Sequence, residues 1–232
     1  MESVVSAVGL SKRYGHITAL DALQLELPKG KIVGLLGPNG SGKTTFLKLC
    51  AGVLTPNAGN VTICGEPVGV KTKALVSYLP DKTYFSRGQR IYQQLELFRD
   101  FYADFDIYRA RTMLLDLDIP LNARFGSLSK GNQEKVQLVL VMARQAKLYL
   151  LDEPIGGVDP ATRDYILNTI ITNYNPEASV IISTHLISDV EKVLDEVIFI
   201  NQGRIVLHSP VDAIREEKGM SVDALFREVF RC

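Results

Sequence analysis

The segment Gly37-Pro38-Asn39-Gly40-Ser41-Gly42-Lys43-Thr44 leaves this chain few folds to choose from. It fits the pattern GxxxxGK[ST]. Its context fits as well: the apolar run 32–36 stands before it and a helix-length segment, 44–52, follows. Glycines let the backbone curl so that its N–H groups point inward around phosphate oxygens, and the helix N-terminus adds a favourable dipole. Lys43 is then placed to reach the β- and γ-phosphates, and Thr44 to offer its hydroxyl to Mg²⁺. The phosphate-binding set expected from this segment is Gly37, Pro38, Asn39, Gly40, Ser41, Gly42, Lys43, Thr44 and Thr45.

A second motif complements the first. Leu148-Tyr149-Leu150-Leu151-Asp152-Glu153 reads as a buried strand ending in two carboxylates. In a phosphate-loop enzyme an aspartate at a strand's C-terminal end holds Mg²⁺, which is the role expected of Asp152. Glu153, expected to point the other way along the strand, is placed to orient and polarise an attacking water.

The rest of the chain supplies an α/β frame. Residues 4–10, 23–27 and 61–63 read as short strands of a small antiparallel sheet. Residues 32–36, 148–151, 180–183 and 197–200 read as buried strands, and 203–206 as a turn and strand. Short helical patterns close the chain near 213–217 and 222–230. Ile91, Leu95, Phe98, Tyr102 and Phe105 step by four, three, four and three, a helical stripe expected to pack internally. A further helix over 108–117 is stopped by Pro120. Residues 82–141 therefore read as a helical insertion into one α/β domain spanning 1–232.

Composition narrows the function classes. Lys+Arg and Asp+Glu both number 26, so the chain carries no net charge and is a poor candidate for binding nucleic acid or anionic membranes. Cys50, Cys64 and Cys232 form no CxxC, zinc pattern or disulfide framework, which suits a reducing, cytoplasmic compartment. The N-terminal residues show no basic region with a signal-length apolar run, and no apolar stretch approaches the ~18 residues needed to cross a bilayer.

Between the two acidic and glycine-rich motifs stands Leu128-Ser129-Lys130-Gly131-Asn132-Gln133. It resembles the LSGGQ signature of the ATP-binding cassette (ABC) ATPases, and matching features follow that family's order along nearly the whole chain. The resemblance implies a P-loop NTPase (RecA-like) core with a small antiparallel β subdomain and an inserted helical subdomain. It implies that Tyr14 stacks on adenine, that Asp159 in Gly156-Gly157-Val158-Asp159 is the D-loop aspartate, and that His185 contacts the γ-phosphate. His16 and His208 match nothing and are expected at the surface. Ser129 and Gly131 precede a helical run expected over 133–144, and a hydroxyl with free N–H groups at a helix start suits phosphate. In the family this helix start contacts ATP held by another cassette, so the resemblance implies a head-to-tail dimer of two copies or paralogues around two ATP molecules. It also implies separately encoded transmembrane permease subunits, which would hold the chain at the inner face of the membrane.

Two departures matter. Lys130 and Asn132 replace the signature's first glycine and its glutamine, while Ser129 and Gly131 are kept. Asp81, after Tyr78-Leu79-Pro80, stands where the family's Q-loop has glutamine. Aspartate can bind Mg²⁺ directly or through water, or it can cap the following turn; both readings stand. Tyr84, Phe85, Arg87 and Tyr92 either form a groove for a partner's short helix or pack internally. The function implied is the ATP-hydrolysing subunit of an ABC transporter, with Glu153, His185 and Lys43 as its catalytic residues. The alternative is a non-transport ABC ATPase, either transmitting force at a membrane or acting on ribosomes or DNA.

Overall fold

A computed structural model describes residues 3–175 and 177–230; Cys232 lies outside them. The chain opens with the hairpin β1 (Ser3–Tyr14) and β2 (Ile17–Pro28), and β3 (Ile32–Leu36) leads into α1 (Lys43–Cys50). After β4 (Ala58–Ile63), β5 (Glu66–Pro67) and α2 (Val70–Leu75) comes β6 (Val76–Leu79). The chain then runs through α3 (Ile91–Phe101), α4 (Ile107–Asp116) and α5 (Lys130–Met142) before β7 (Leu148–Asp152). It ends with α6 (Pro160–Asn173), β8 (Ser179–Thr184), α7 (Ile187–Val190), β9 (Glu196–Asn201), β10 (Arg204–Pro210), α8 (Val211–Lys218) and α9 (Val222–Phe230).

Two sheets form. One is antiparallel, in the order β2-β1-β4-β5. The other runs β10-β9-β3-β8-β7-β6, parallel except for the β10–β9 hairpin. The second sheet separates two cores. Val33 and Leu35, Leu148 and Leu150, Ile181, Ile198 and Ile200 face α1 and the antiparallel sheet. Their neighbours Ile32 and Leu36, Tyr149 and Leu151, Val180 and Ile182, Val197 and Phe199 face the helices α5, α6 and α9. Alternation along each strand fills both faces, so every central strand reads as an unbroken apolar run.

The α/β reading holds, with four differences in detail. The stripe from Ile91 is helical only to Phe101; Phe105 reaches the same core from a turn, its N–H donating to the Tyr102 carbonyl, and bridges to Arg144. The signature helix begins at Lys130, not Gln133, so Gly131 lies in its first turn; it ends at Met142, not Arg144. Periodicity misses α6 because its apolar residues do not gather on one face, although Asp159-Pro160 is a legible N-cap and first-turn signal. Among the four aromatic and basic groove candidates, Phe85 is buried against Phe98 and Phe125, whereas Tyr84, Arg87 and Tyr92 are exposed.

The helical segment is tied to the sheet by Arg144, which is 2% exposed. Its guanidinium donates to the carbonyls of Val76 (2.6 Å) and Ala74 (2.8 Å) and pairs with Asp104 at 3.1 Å. The ring of Tyr102 lies over it, 3.8 Å from the guanidinium carbon. Cys50 and Cys64 are free thiols, and burial pushes Cys50 well above the ordinary thiol range.

Candidate functional site

The strands β3, β8 and β7 are neighbours, and their carboxyl ends carry the three segments that matter: 37–44, Thr184-His185 and Asp152-Glu153. A crevice at the carboxyl ends of parallel strands is where open α/β sheets bind ligands. Here it is a cavity of about 640 Å³. Tyr14, Asn39, Gly40, Ser41, Gly42, Lys43, Thr44, Thr45, Asp81, Lys130, Glu153 and His185 line it.

The loop's shape depends on glycine. Gly42 has φ +112°, and a Cβ there would stand 2.5 Å from the Ala19 carbonyl oxygen. At Gly37 a Cβ would stand 2.3 Å from the carbonyl oxygen of Ile200. Lys43 folds back over the loop: its Nζ donates to the carbonyls of Gly37 (2.7 Å) and Pro38 (3.3 Å) and lies 3.8 Å from Glu153 Oε1. Burial lowers its pKa, opposed by the charges of Glu153 and Asp152. The lysine is thus a desolvated cation held by two neutral carbonyls and, at longer range, the Glu153 carboxylate.

Asp152 joins the three strands. Its Oδ1 accepts from Ser183 Oγ (2.6 Å) and Thr44 Oγ1 (3.0 Å). Its Oδ2 is buried without a partner among the described residues, as is Ser41 Oγ. Burial raises its pKa, and the hydrogen bonds from Ser183 and Thr44 oppose that. A buried carboxylate with one uncommitted oxygen beside a threonine hydroxyl is a hard-oxygen donor set of the kind Mg²⁺ takes. Buried polar groups are rarely left unpaired, so the open Oδ2 has room for a further partner, and a cation fits it.

Glu153 does not continue the strand. It takes the left-handed conformation, φ +52°, just past β7. Its N–H donates to the Ser183 carbonyl (3.0 Å), and its Oε2 meets His185 Nδ1 at 3.0 Å. The turn swings the carboxylate into the cavity rather than to the opposite side of the strand. Non-glycine residues pay a conformational cost in this region, and they cluster at functional sites.

Ser129, Gly131 and Asp159 do not line this cavity in the single chain, whereas Tyr14 and Lys130 do. Ser129 caps α5, accepting from the Asn132 N–H at 3.3 Å. Asp159 caps α6, accepting from the Thr162 N–H (3.0 Å) and hydroxyl (2.7 Å), and those bonds hold its carboxyl below the usual range. Gly131 packs on this cap: a Cβ there would stand 3.2 Å from Thr162 Oγ1. Lys130, in the signature's variant position, links the two helix starts by donating to the Gly157 carbonyl at 3.2 Å. Tyr14 is exposed at the end of β1, with Lys12 Nζ 5.6 Å from its ring centre. His16 and His208 are on the surface, His208 bonded to Glu196 at 2.9 Å.

Sequence reasoning misses Ser183, the second hydroxyl on Asp152. A serine in an apolar strand, Val180-Ile181-Ile182-Ser183, is the available signal, but its target lies on another strand. A second cavity, of about 520 Å³, lies between α1 and α3. Tyr78, Tyr84, Phe101 and Tyr102, with Pro80 and Leu97, give it a largely aromatic wall, and Lys48, Lys73 and Lys82 a basic rim.

The chain is similar to known proteins along most of its length. Residues 20–156 match the sequence profile of the family described as "ABC transporter". The ABC transporter ATP-binding protein YtrB of Bacillus subtilis (strain 168) is 30% identical over 211 residues, covering 90% of this chain and 72% of its own. The SkfA peptide export ATP-binding protein SkfE of the same organism is 29% identical over 215 residues, covering 90% of both chains. A solved structure of an ATP-binding subunit of an ABC transporter superimposes with a TM-score of 0.88 at 25% identity, covering 98% of this chain and 100% of that one.

Proposed function

Since the chain belongs to the ABC transporter family, we propose that it is the ATP-hydrolysing cassette of an export system and drives membrane subunits encoded as separate chains. The observation that carries the mechanism is the convergence of Lys43, Thr44, Asp152, Glu153 and His185 at adjacent strand ends. Tyr14 offers its ring to adenine. The loop N–H groups of residues 37–45 and Lys43 hold the phosphates. Thr44 and Asp152, with Asp81 beside them, would hold Mg²⁺, which supplies charge neutralisation at the phosphate oxygens. Glu153 accepts a proton from the attacking water, and His185, through its bond to Glu153, orients that carboxylate and faces the γ-phosphate. Ser129, Gly131 and Asp159 stand outside the chain's own cavity. That placement suits service to nucleotide on a second cassette, in a head-to-tail dimer closed by two ATP molecules.

The aromatic cavity with its lysine rim is the proposed seat of a short amphipathic helix from a permease. Among the described residues no helix is long and apolar enough to cross a membrane, so attachment there would come through that partner. Family and relatives' names favour transport over action on ribosomes or DNA, and the balanced charge agrees.

Capture tests this reading. Tagged Glu153→Gln chain with MgATP, added to solubilised membranes of the source organism, is expected to recover a multi-span membrane protein at matching stoichiometry. Recovery of only itself or of soluble assemblies refutes the transporter role. Phe101→Asp, at a side chain 75% exposed, is expected to abolish capture while ATP binding stays within twofold.

Asp81 is proposed to keep the sensing role of the position it occupies. Asp81→Ala is expected to lower Mg²⁺-dependent turnover about tenfold, the scale of losing an outer partner of a metal site. Turnover and partner stimulation both at wild-type level would rule that role out.

A further inference from the structure

The end of β6 faces two sites at once. Tyr78 and Pro80 line the aromatic groove, and Asp81 lines the nucleotide cavity. Tyr78 lies opposite Leu150 in the parallel β6–β7 pair, two residues short of Asp152. Side chains alternate along a strand, so Leu150 and Asp152 share a face, and Tyr78 packs on that face with the same core as Leu150.

Its hydroxyl is buried and meets no acceptor in full hydrogen-bond geometry among the described residues. Asp152 Oδ2 is in the same condition. Burial first, then the charges of Asp152 and Asp81 and a hydrogen bond towards Asp152, hold the phenol above its ordinary range. A phenol donates a proton, and the β6–β7 register sets this one on the face of β7 that carries Asp152, whose Oδ2 lacks a donor. Two complementary buried atoms left open beside each other are an exception to the rule that buried polar groups pair.

We propose that Tyr78 is a positioning residue of the nucleotide site, whose hydroxyl donates to Asp152 Oδ2 and fixes the rotation of that carboxylate for the metal. The proposal rests on the reading of Asp152 as a Mg²⁺-holding residue. A carboxylate oxygen has two lone-pair directions, so one can accept from Tyr78 while the other meets the cation. Thr44 and Ser183 already secure Oδ1, and a tie at Oδ2 leaves the group a single orientation. The same ring is a wall of the groove, so a segment seated there touches the side chain that aims the carboxylate.

Tyr78→Phe removes one oxygen and keeps the ring. In calorimetric titrations of Mg²⁺ into the full chain loaded with ATP, the variant is expected to bind Mg²⁺ about tenfold more weakly. Its ATP affinity in EDTA should stay within twofold of wild type, with a matching thermal midpoint. Unchanged Mg²⁺ affinity overturns the proposal. So does an equal loss of metal-free ATP binding, which would mark a merely structural role. Thr44→Ala is the control for the parent reading: if it leaves Mg²⁺ affinity intact, or if wild type binds no ATP, the site assignment itself falls. If Thr44→Ala abolishes Mg²⁺ binding and Tyr78→Phe does nothing, only the role of Tyr78 falls.

Discussion

Glu153→Gln is expected to slow ATP turnover about 10²- to 10³-fold while ATP still binds, the scale set by removing a general base. The amide keeps the shape of the side chain, so the left-handed turn at φ +52° and the bond of the N–H to Ser183 should survive. What is lost is the proton acceptor, in a position 3.0 Å from His185 and 3.8 Å from Lys43. Lys43, Thr44 and Asp152 are untouched, so nucleotide affinity should change by less than about threefold, under 1 kcal/mol. With hydrolysis blocked, the ATP-bound dimer should accumulate and appear at twice the monomer mass by light scattering. Pre-steady-state phosphate release separates chemistry from product release. Release at the wild-type rate would remove Glu153 from the mechanism.

Arg144→Met is expected to destabilise the chain by about 3 kcal/mol, because it takes away one half of a buried ion pair and strands its partners. The guanidinium satisfies the Val76 and Ala74 carbonyls and Asp104 at once, from a side chain only 2% exposed. Methionine fills similar volume, so the loss reports the polar ties rather than a cavity. Arg144→Lys keeps the charge but not the fork, and should fall between the two. Urea midpoints at unchanged slope measure both variants. A loss below about 1 kcal/mol would show that the helical segment is held by apolar packing alone. Since Val76 opens the strand that carries Tyr78 and leads to Asp81, the same variant should also weaken Mg²⁺-dependent ATP binding.

How far the site could be read in the sequence depends on how local its chemistry is. The loop at 37–44 is contiguous, and its glycines and lysine act on one another across a few residues, so spacing alone revealed it. The apolar runs of β3, β7, β8 and β9 were legible for the same reason: each is buried on both faces and needs no partner to be recognised. Glu153 was legible as a carboxylate but not in its direction, because a left-handed turn reverses the side chain and no neighbouring residue type announces it. Arg144 and Ser183 were not legible. One serves Val76, Ala74 and Asp104 and the other Asp152, partners distant in the chain.

The order of the residues thus supplied the candidates: a phosphate-type loop, an aspartate proposed for a cation, a proposed base. Which residues meet was settled by the sheet. Strand β8 inserts between β3 and β7, and only that order sets Ser183 and Thr44 together on Asp152. Parallel pairing of β6 with β7 then brings Tyr78 beside the same carboxylate. Strand order follows from which apolar faces pack against which layers, a global balance of buried area that no short stretch of sequence contains.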